Sequence, residues 1–150
     1  MFKYTIRPAG VADFTAVYKM NERLLGSVIP KSIAETVYRS AITDAAQTVL
    51  VIMHSGNAVG YIHARQVADL LGAMHTEIVS IAVYDYYINR SAYTELVNAV
   101  LKWSAQMLSS SVRICGGLKE QLLDIGFCEN GCLEKNIMVE RKDHYERMYT

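Results

Sequence analysis

Apolar and polar positions follow two different periods along the chain, and the switches between those periods mark out its elements. Residues 2–7 alternate, with β-formers at Tyr4 and Ile6, and Pro8-Ala9-Gly10 breaks the run, so a first strand is predicted there. From Val11 the spacing changes to three and four. Phe14, Val17, Tyr18, Leu24 and Leu25 recur at helical intervals and stop at Gly26, a fitting C-cap. Ser32 and Glu35 spell a capping box for a second, shorter helix that buries Ile33, Val37 and Ile42. Residues 48–53 are β-branched and apolar, Ser55-Gly56-Asn57 reads as a tight turn, and residues 58–66 resume the strand pattern, which together predict a hairpin. Another strand is expected over 75–84, with Ile78, Ile81 and Val83 prominent. Residues 91–108 carry the strongest helical stripe, formed by Tyr93, Leu96, Val97, Val100, Leu101 and Leu108. A short strand over 112–115, a short helix over 118–125 closed by Gly126, and a last strand over 133–141 complete the pattern.

The resulting order, β-α-α-β-β-β-α-β-α-β, requires an α/β fold in which a mixed sheet carries helices on its faces. With 150 residues, 51% hydrophobic and 20% charged, residues 1–150 are expected to form a single domain with a real core. Fifteen basic residues balance fifteen acidic ones, and neither half of the chain is strongly basic, so nucleic acid is not an expected partner. The longest apolar run, Val49 to Met53, is strand-sized, so no membrane association is expected. Three cysteines, Cys115, Cys128 and Cys132, are too few for a disulfide framework, and no leader-like segment precedes the first element, which points to the cytoplasm. Cys128 and Cys132 lack two further ligands nearby, so no metal site is expected. His54, His63 and His75 fall at or within strands around the hairpin, where scattered half-buried histidines are commoner than a designed base.

Three stretches carry a family resemblance: Ile6-Arg7-Pro8-Ala9 with Asp13; Glu77-Ile78-Val79-Ser80-Ile81-Ala82-Val83; and Gly126-Phe127 followed by Leu133-Glu134-Lys135-Asn136-Ile137. In this order, over residues 4–141, the chain resembles the GNAT superfamily of acetyl-CoA-dependent N-acyltransferases. The resemblance implies a GNAT-like mixed central sheet of six to seven strands flanked by helices on both faces. It also implies that acetyl-CoA or CoA, the acyl donor, lies in a V-shaped split between central strands, with the acetyl group passing to a small-molecule or peptide amine. An amine must lose a proton before it attacks a thioester, and Glu77 stands where many members place the base that removes it. The alternative for Glu77 is a solvated strand residue paired with a neighbour.

The implied cofactor-binding residues are Ile81 and Val83 on the strand and Ile88, Asn89, Arg90, Ser91, Ala92, Tyr93 and Thr94 in the loop and helix start. Members of the family carry Arg/Gln-x-x-Gly-x-Gly/Ala here, because glycine lets backbone amides approach the pyrophosphate at a helix N-terminus. This chain has Ile88, Ser91 and Tyr93 at the three characteristic positions, and no glycine between Gly72 and Gly116. Ser91 can cap the helix, Tyr93 is expected to crowd the phosphate, and Glu95 is expected to neutralise the dipole from the first turn. Arg90 is either a compensating phosphate contact or a solvated loop cation, and Tyr84, Tyr86 and Tyr87 are either stacking rings or packing. Leu122 occupies the place of the tyrosine that serves many relatives as proton donor, with Cys115 near the same edge. Two further readings stand beside the enzyme: a catalytically degenerate GNAT-like domain serving as ligand sensor or protein-interaction module, and a structural module that forms a homodimer. Acceptor choice is expected to lie with the two early helices and the loop of residues 68–74, where Asp69 offers one carboxylate.

Overall fold

Ser55 and Gly56 both take positive φ, 52° and 80°, the geometry of a two-residue hairpin whose twist matches its strands. They join β2 (Gln47–His54) to β3 (Asn57–Ala68), with His54 facing Asn57 across the turn. These strands belong to a computed structural model of the chain that describes residues 3–136 except 27–28, 71, 86–87, 115–122, 124 and 131. β1 (Thr5–Pro8) lies at one edge and includes Pro8, opposite Leu50, where the run was expected to have ended. Proline is tolerated there because an edge strand has one side without a ladder to donate to. β4 (Met74–Val83), β5 (Ser111–Ile114), β6 (Cys128–Asn130) and β7 (Cys132–Asn136) complete a seven-stranded sheet ordered β1-β2-β3-β4-β5-β7-β6. Among these pairings only β4–β5 is parallel.

The first helical stretch has three parts: a 3-10 turn at Val11–Asp13, α1 (Phe14–Met20), and a π turn at Asn21–Leu25 that ends on Gly26 at φ 66°. A bidentate pair from Arg7 to Asp13 (2.7 and 2.8 Å) fastens its start to β1. α2 (Lys31–Thr43) begins after Pro30 rather than at a Ser32 cap, and Glu35 pairs with Arg39 at 3.1 Å instead of closing a box. Its buried residues are Tyr38 and Ala41, while Ile33 and Val37 stay 53% exposed. The helix is turned this way by Tyr38, whose ring tilts against Phe14 and whose hydroxyl donates to the Gly10 carbonyl. α3 (Arg90–Gln106) buries Tyr93, Leu96, Val97 and Val100 as the stripe predicts, but Leu108 lies past the helix end at φ 62° and is exposed. The short strand β6 was not expected. Most of the helix predicted over 118–125, and residues 137–141 of the last predicted strand, lie outside the described residues.

The sheet divides the interior in two. Ile52, Ile62, Ile78, Ile81 and Val83 pack with α3, while Val49, Val51, Tyr61 and Ala82 pack with α1 and α2. Strict alternation along β4 cannot satisfy both sets, because Ile78 and Ile81 share a face at a spacing of three. A bulge resolves the conflict: Ala64 faces Ile78 and His63 faces Ser80, so Val79 is the extra residue and every later side chain changes face.

Candidate active site

Among the described residues β4 and β5 pair from Thr76–Val112 to Ile78–Ile114, and β4 runs on for five residues to Val83. The chain leaves β4 through Asp85 (φ 47°), whose carbonyl accepts from the amides of Ile88 (2.8 Å) and Asn89 (2.9 Å), and enters α3 at Arg90. Asn89 is buried and holds this connection together: its amide nitrogen donates to the Tyr84 carbonyl (2.8 Å) and its oxygen accepts from the Tyr4 hydroxyl (2.7 Å). With Asn89 engaged in this way, α3 starts without a side-chain cap and without an acidic residue in its first turn.

Two expectations about this helix are corrected. Tyr93 is 3% exposed and belongs to the core under the sheet, so its ring does not stand over the helix start. Ala92 is buried beside it. Glu95 is the sixth helical residue, too far along to quench the dipole from the first turn. Arg90 and Ser91 are exposed, Thr94 is half-buried, and Ile88 is 61% exposed where the family has Arg or Gln. The side chains of Ile81 and Val83 point into the α3-side core. Tyr86, Tyr87, Cys115 and Leu122 lie outside the described residues.

Glu77 sits two residues before the bulge, half-buried, on the sheet face that α1 and α2 cover. It is the second member of a row of alternating charge, Arg65–Glu77–Arg113–Glu134, formed by strand register across β3, β4, β5 and β7. Arg65 approaches Glu77 at 3.3 Å and Arg113 approaches Glu134 at 2.9 Å. Asp69 is occupied elsewhere, since its carboxylate accepts from the Ala73 amide (3.1 Å) and closes the β3–β4 turn.

Between α1, α2 and the sheet lies a cavity of about 390 Å³. Phe14, Val17, Tyr18, Val37 and Tyr38 wall it from the helices, and Val49 from β2. Its polar groups are Asn21, in the π turn, with Tyr61, His63 and Ser80 on the sheet. The Tyr61 hydroxyl bonds to Asn21 Oδ1 and lies 2.8 Å from Ser80 Oγ. His63 Nε2 lies 2.8 Å from Gln47 Oε1. An amide oxygen accepts, so Nε2 carries the proton and Nδ1 keeps its lone pair. Burial, and secondarily the Arg65 guanidinium, holds His63 below its ordinary 6.5, and burial pushes Tyr38 up to about 12. The alternation over 61–64 already put Tyr61 and His63 on one face; the missing fact was that the early helices roof that face.

The family model "Acetyltransferase (GNAT) family" matches residues 14–116. Among solved structures, the chain is similar to the aminoglycoside antibiotic 6'-N-acetyltransferase AAC(6')-Ih from Acinetobacter baumannii, at 18% identity over 85% of this chain and 92% of that one, with a TM-score of 0.71. It is similar to Arabidopsis thaliana NAA60 in complex with acetyl-CoA, at 12% identity over 90% and 99% of the two chains, TM-score 0.74. A Trypanosoma brucei acetyltransferase matches at 14% identity over 85% and 94%, TM-score 0.70. No curated protein matches the sequence. No helix among the described residues is long and apolar enough to cross a membrane, and no group of His, Cys, Asp and Glu among them could hold a metal ion.

Proposed function

Since the chain belongs to the GNAT acetyltransferase family, N-acetyltransferases that draw on acetyl-CoA, we propose that it acetylates an amine held in the α1–α2 cavity, with the donor in the β4–β5 split and Glu77 as base. The observation that carries this reading is the position of Ser80. It lines the cavity and lies on β4 immediately after the bulge, past the last described β4–β5 pair at Ile78–Ile114, so the cavity reaches the stretch of β4 beside which this reading puts the donor.

The residues at the split fit the donor. A 17-residue helix starts there with no side-chain cap and no acidic first turn, and exposed Arg90 and Ser91 flank its start. Such a terminus suits a pyrophosphate. Acetyl-CoA, when bound, supplies the acetyl thioester. Ile88, Asn89, Arg90, Ser91, Ala92, Tyr93 and Thr94 would hold its phosphates, those with inward side chains through their backbones, and Ile81 and Val83 would offer β4 backbone groups to the pantetheine arm. Glu77, half-buried on the cavity's face of the sheet, would take the amine's proton through water. The reading carries a cytoplasmic setting, in keeping with three cysteines and no disulfide framework.

The test is thermal denaturation with acetyl-CoA or CoA added up to millimolar concentration. At 100 times the Kd the protein should gain about 2.7 kcal/mol and melt roughly 5–11 °C higher. No shift at any concentration overturns the donor site.

A further inference from the structure

The cavity's lining specifies a class of acceptor. None of the described residues that line it is an Asp, Glu, Lys or Arg. Each ammonium group taken from water into such a space loses hydration that only a carboxylate or several acceptors would replace. Polyamines, aminoglycosides and basic peptide segments carry several such groups and are poorly matched. The aromatic rings of the wall stand as tilted pairs, Phe14–Tyr18 at 5.7 Å and Phe14–Tyr38 at 5.4 Å, and aliphatic Val17, Val37 and Val49 fill in around them. Opposite these, Tyr61 and Asn21 are bonded to each other, while His63 uses Nε2 on Gln47 and has Nδ1 left as an acceptor. A volume of about 390 Å³ suits a small ligand rather than a peptide strand.

We propose that the acceptor is a compact monoamine with an apolar body the size of one ring or a branched alkyl group, its body against Phe14, Tyr18 and Tyr38 and its amine hydrogen-bonded to His63 Nδ1. This rests on the acetyl-transfer reading above. A neutral histidine suits the role, because an imidazolium would repel an ammonium and could not accept from an amine. The Glu77 carboxylate lies on the same sheet face, so the amine is held by one group and deprotonated by way of another.

Thiol release from acetyl-CoA by the full chain is to be compared with 2-phenylethylamine, 3-methylbutylamine, spermidine and kanamycin as acceptors. The two apolar monoamines should show kcat/KM at least tenfold above the two polycations; equal or reversed preference overturns the proposal. If acetyl-CoA stabilises the protein yet none of the four amines releases thiol, the acceptor class is wrong and the donor reading stands. If acetyl-CoA gives no stabilisation, the donor reading fails. Calorimetric titration of 2-phenylethylamine into the free protein then decides the cavity, with saturable binding supporting the proposal and no heat overturning it. Ala34→Phe, which projects a ring into the cavity, should cut 2-phenylethylamine turnover at least tenfold while stabilisation by acetyl-CoA is kept. Val37→Trp, at an exposed helix position, makes the same test if Ala34→Phe does not fold. His63→Phe keeps a ring but removes the acceptor and should raise KM for the amine about tenfold, the worth of one buried hydrogen bond. Unchanged KM in the folded variants overturns the proposal.

Discussion

Glu77 and Tyr93 illustrate how far a single residue can be read. Glu77 occurs in a strand-like heptapeptide that resembles its family's central strand, and the same position in the structure gives it a half-exposed carboxylate with Arg65 at 3.3 Å. A pair this exposed is worth about 0–1 kcal/mol, so Glu77→Gln should fold normally. If Glu77 is the base, the variant should lose about 10²- to 10⁴-fold in kcat with little change in acetyl-CoA stabilisation. Equal activity across the pH range removes Glu77 from the mechanism. Tyr93 is legible in two ways, as part of the apolar stripe of α3 and as a large residue where glycine is usual, and the rotation of α3 about its own axis decides between them. That rotation is set by Leu96, Val97 and Val100, which seat the helix on the sheet and carry Tyr93 inward with them.

At the scale of the element, the start of α3 separates two features that look alike in sequence. Ile88 and Tyr93 both depart from the family's loop, yet Ile88 is 61% exposed and Tyr93 is 3% exposed. Ile88→Arg should therefore leave stability unchanged and tighten CoA binding a few-fold, the effect of one solvent-screened charge on a phosphate. Tyr93→Gly should cost about 3–5 kcal/mol for the cavity and about 1 kcal/mol more for glycine inside a helix, measured by urea denaturation. A Tyr93→Gly variant as stable as the parent would show that the ring is not part of the core. The β4 bulge is a second case. Its trace in the sequence is the spacing of three between Ile78 and Ile81, but a bulge is fixed only when both sheet faces have something to bury.

Taken over the whole molecule, stability should pass through a plateau whose limits follow from its shifted groups. Arg7 hydrogen-bonds Asp13 and lowers its pKa, so this contribution is full above the ordinary value near 3.8 and is lost as the pH falls through the folded one. His63 and His75 are lowered chiefly by burial, so the unfolded chain binds their protons more readily and stability declines as the pH falls below about 6.5. Tyr38 is raised to about 12, so its contribution is full below pH 10 and is lost as the pH rises through 12. Urea midpoints should be highest between about pH 6.5 and 10. His63→Gln should flatten the decline between pH 6.5 and 5, and Asp13→Asn the steeper fall below 4. A decline in the His63→Gln variant as steep as in the parent would mean that His63 is not held neutral by its burial.

The sequence by itself determined the order of strands and helices as far as β5, because periods of 2 and 3.6 and the turn chemistry at Ser55-Gly56 and Gly26 are local properties of the chain. It also marked Glu77 and the stretch from Ile88 to Thr94, through a resemblance that is itself a local spelling. Only the tertiary structure decided which face each element presents. Val37 went to the rim of a cavity, Asp69 to a turn, and His63 from one scattered histidine among several to a half-buried neighbour of Ser80. The physical reason is that facing is a joint choice of packed elements. The rotation of α2 on Tyr38 and the extra residue in β4 each become favourable only once the opposing surface is present, and the cavity between them exists in no segment of the chain taken alone.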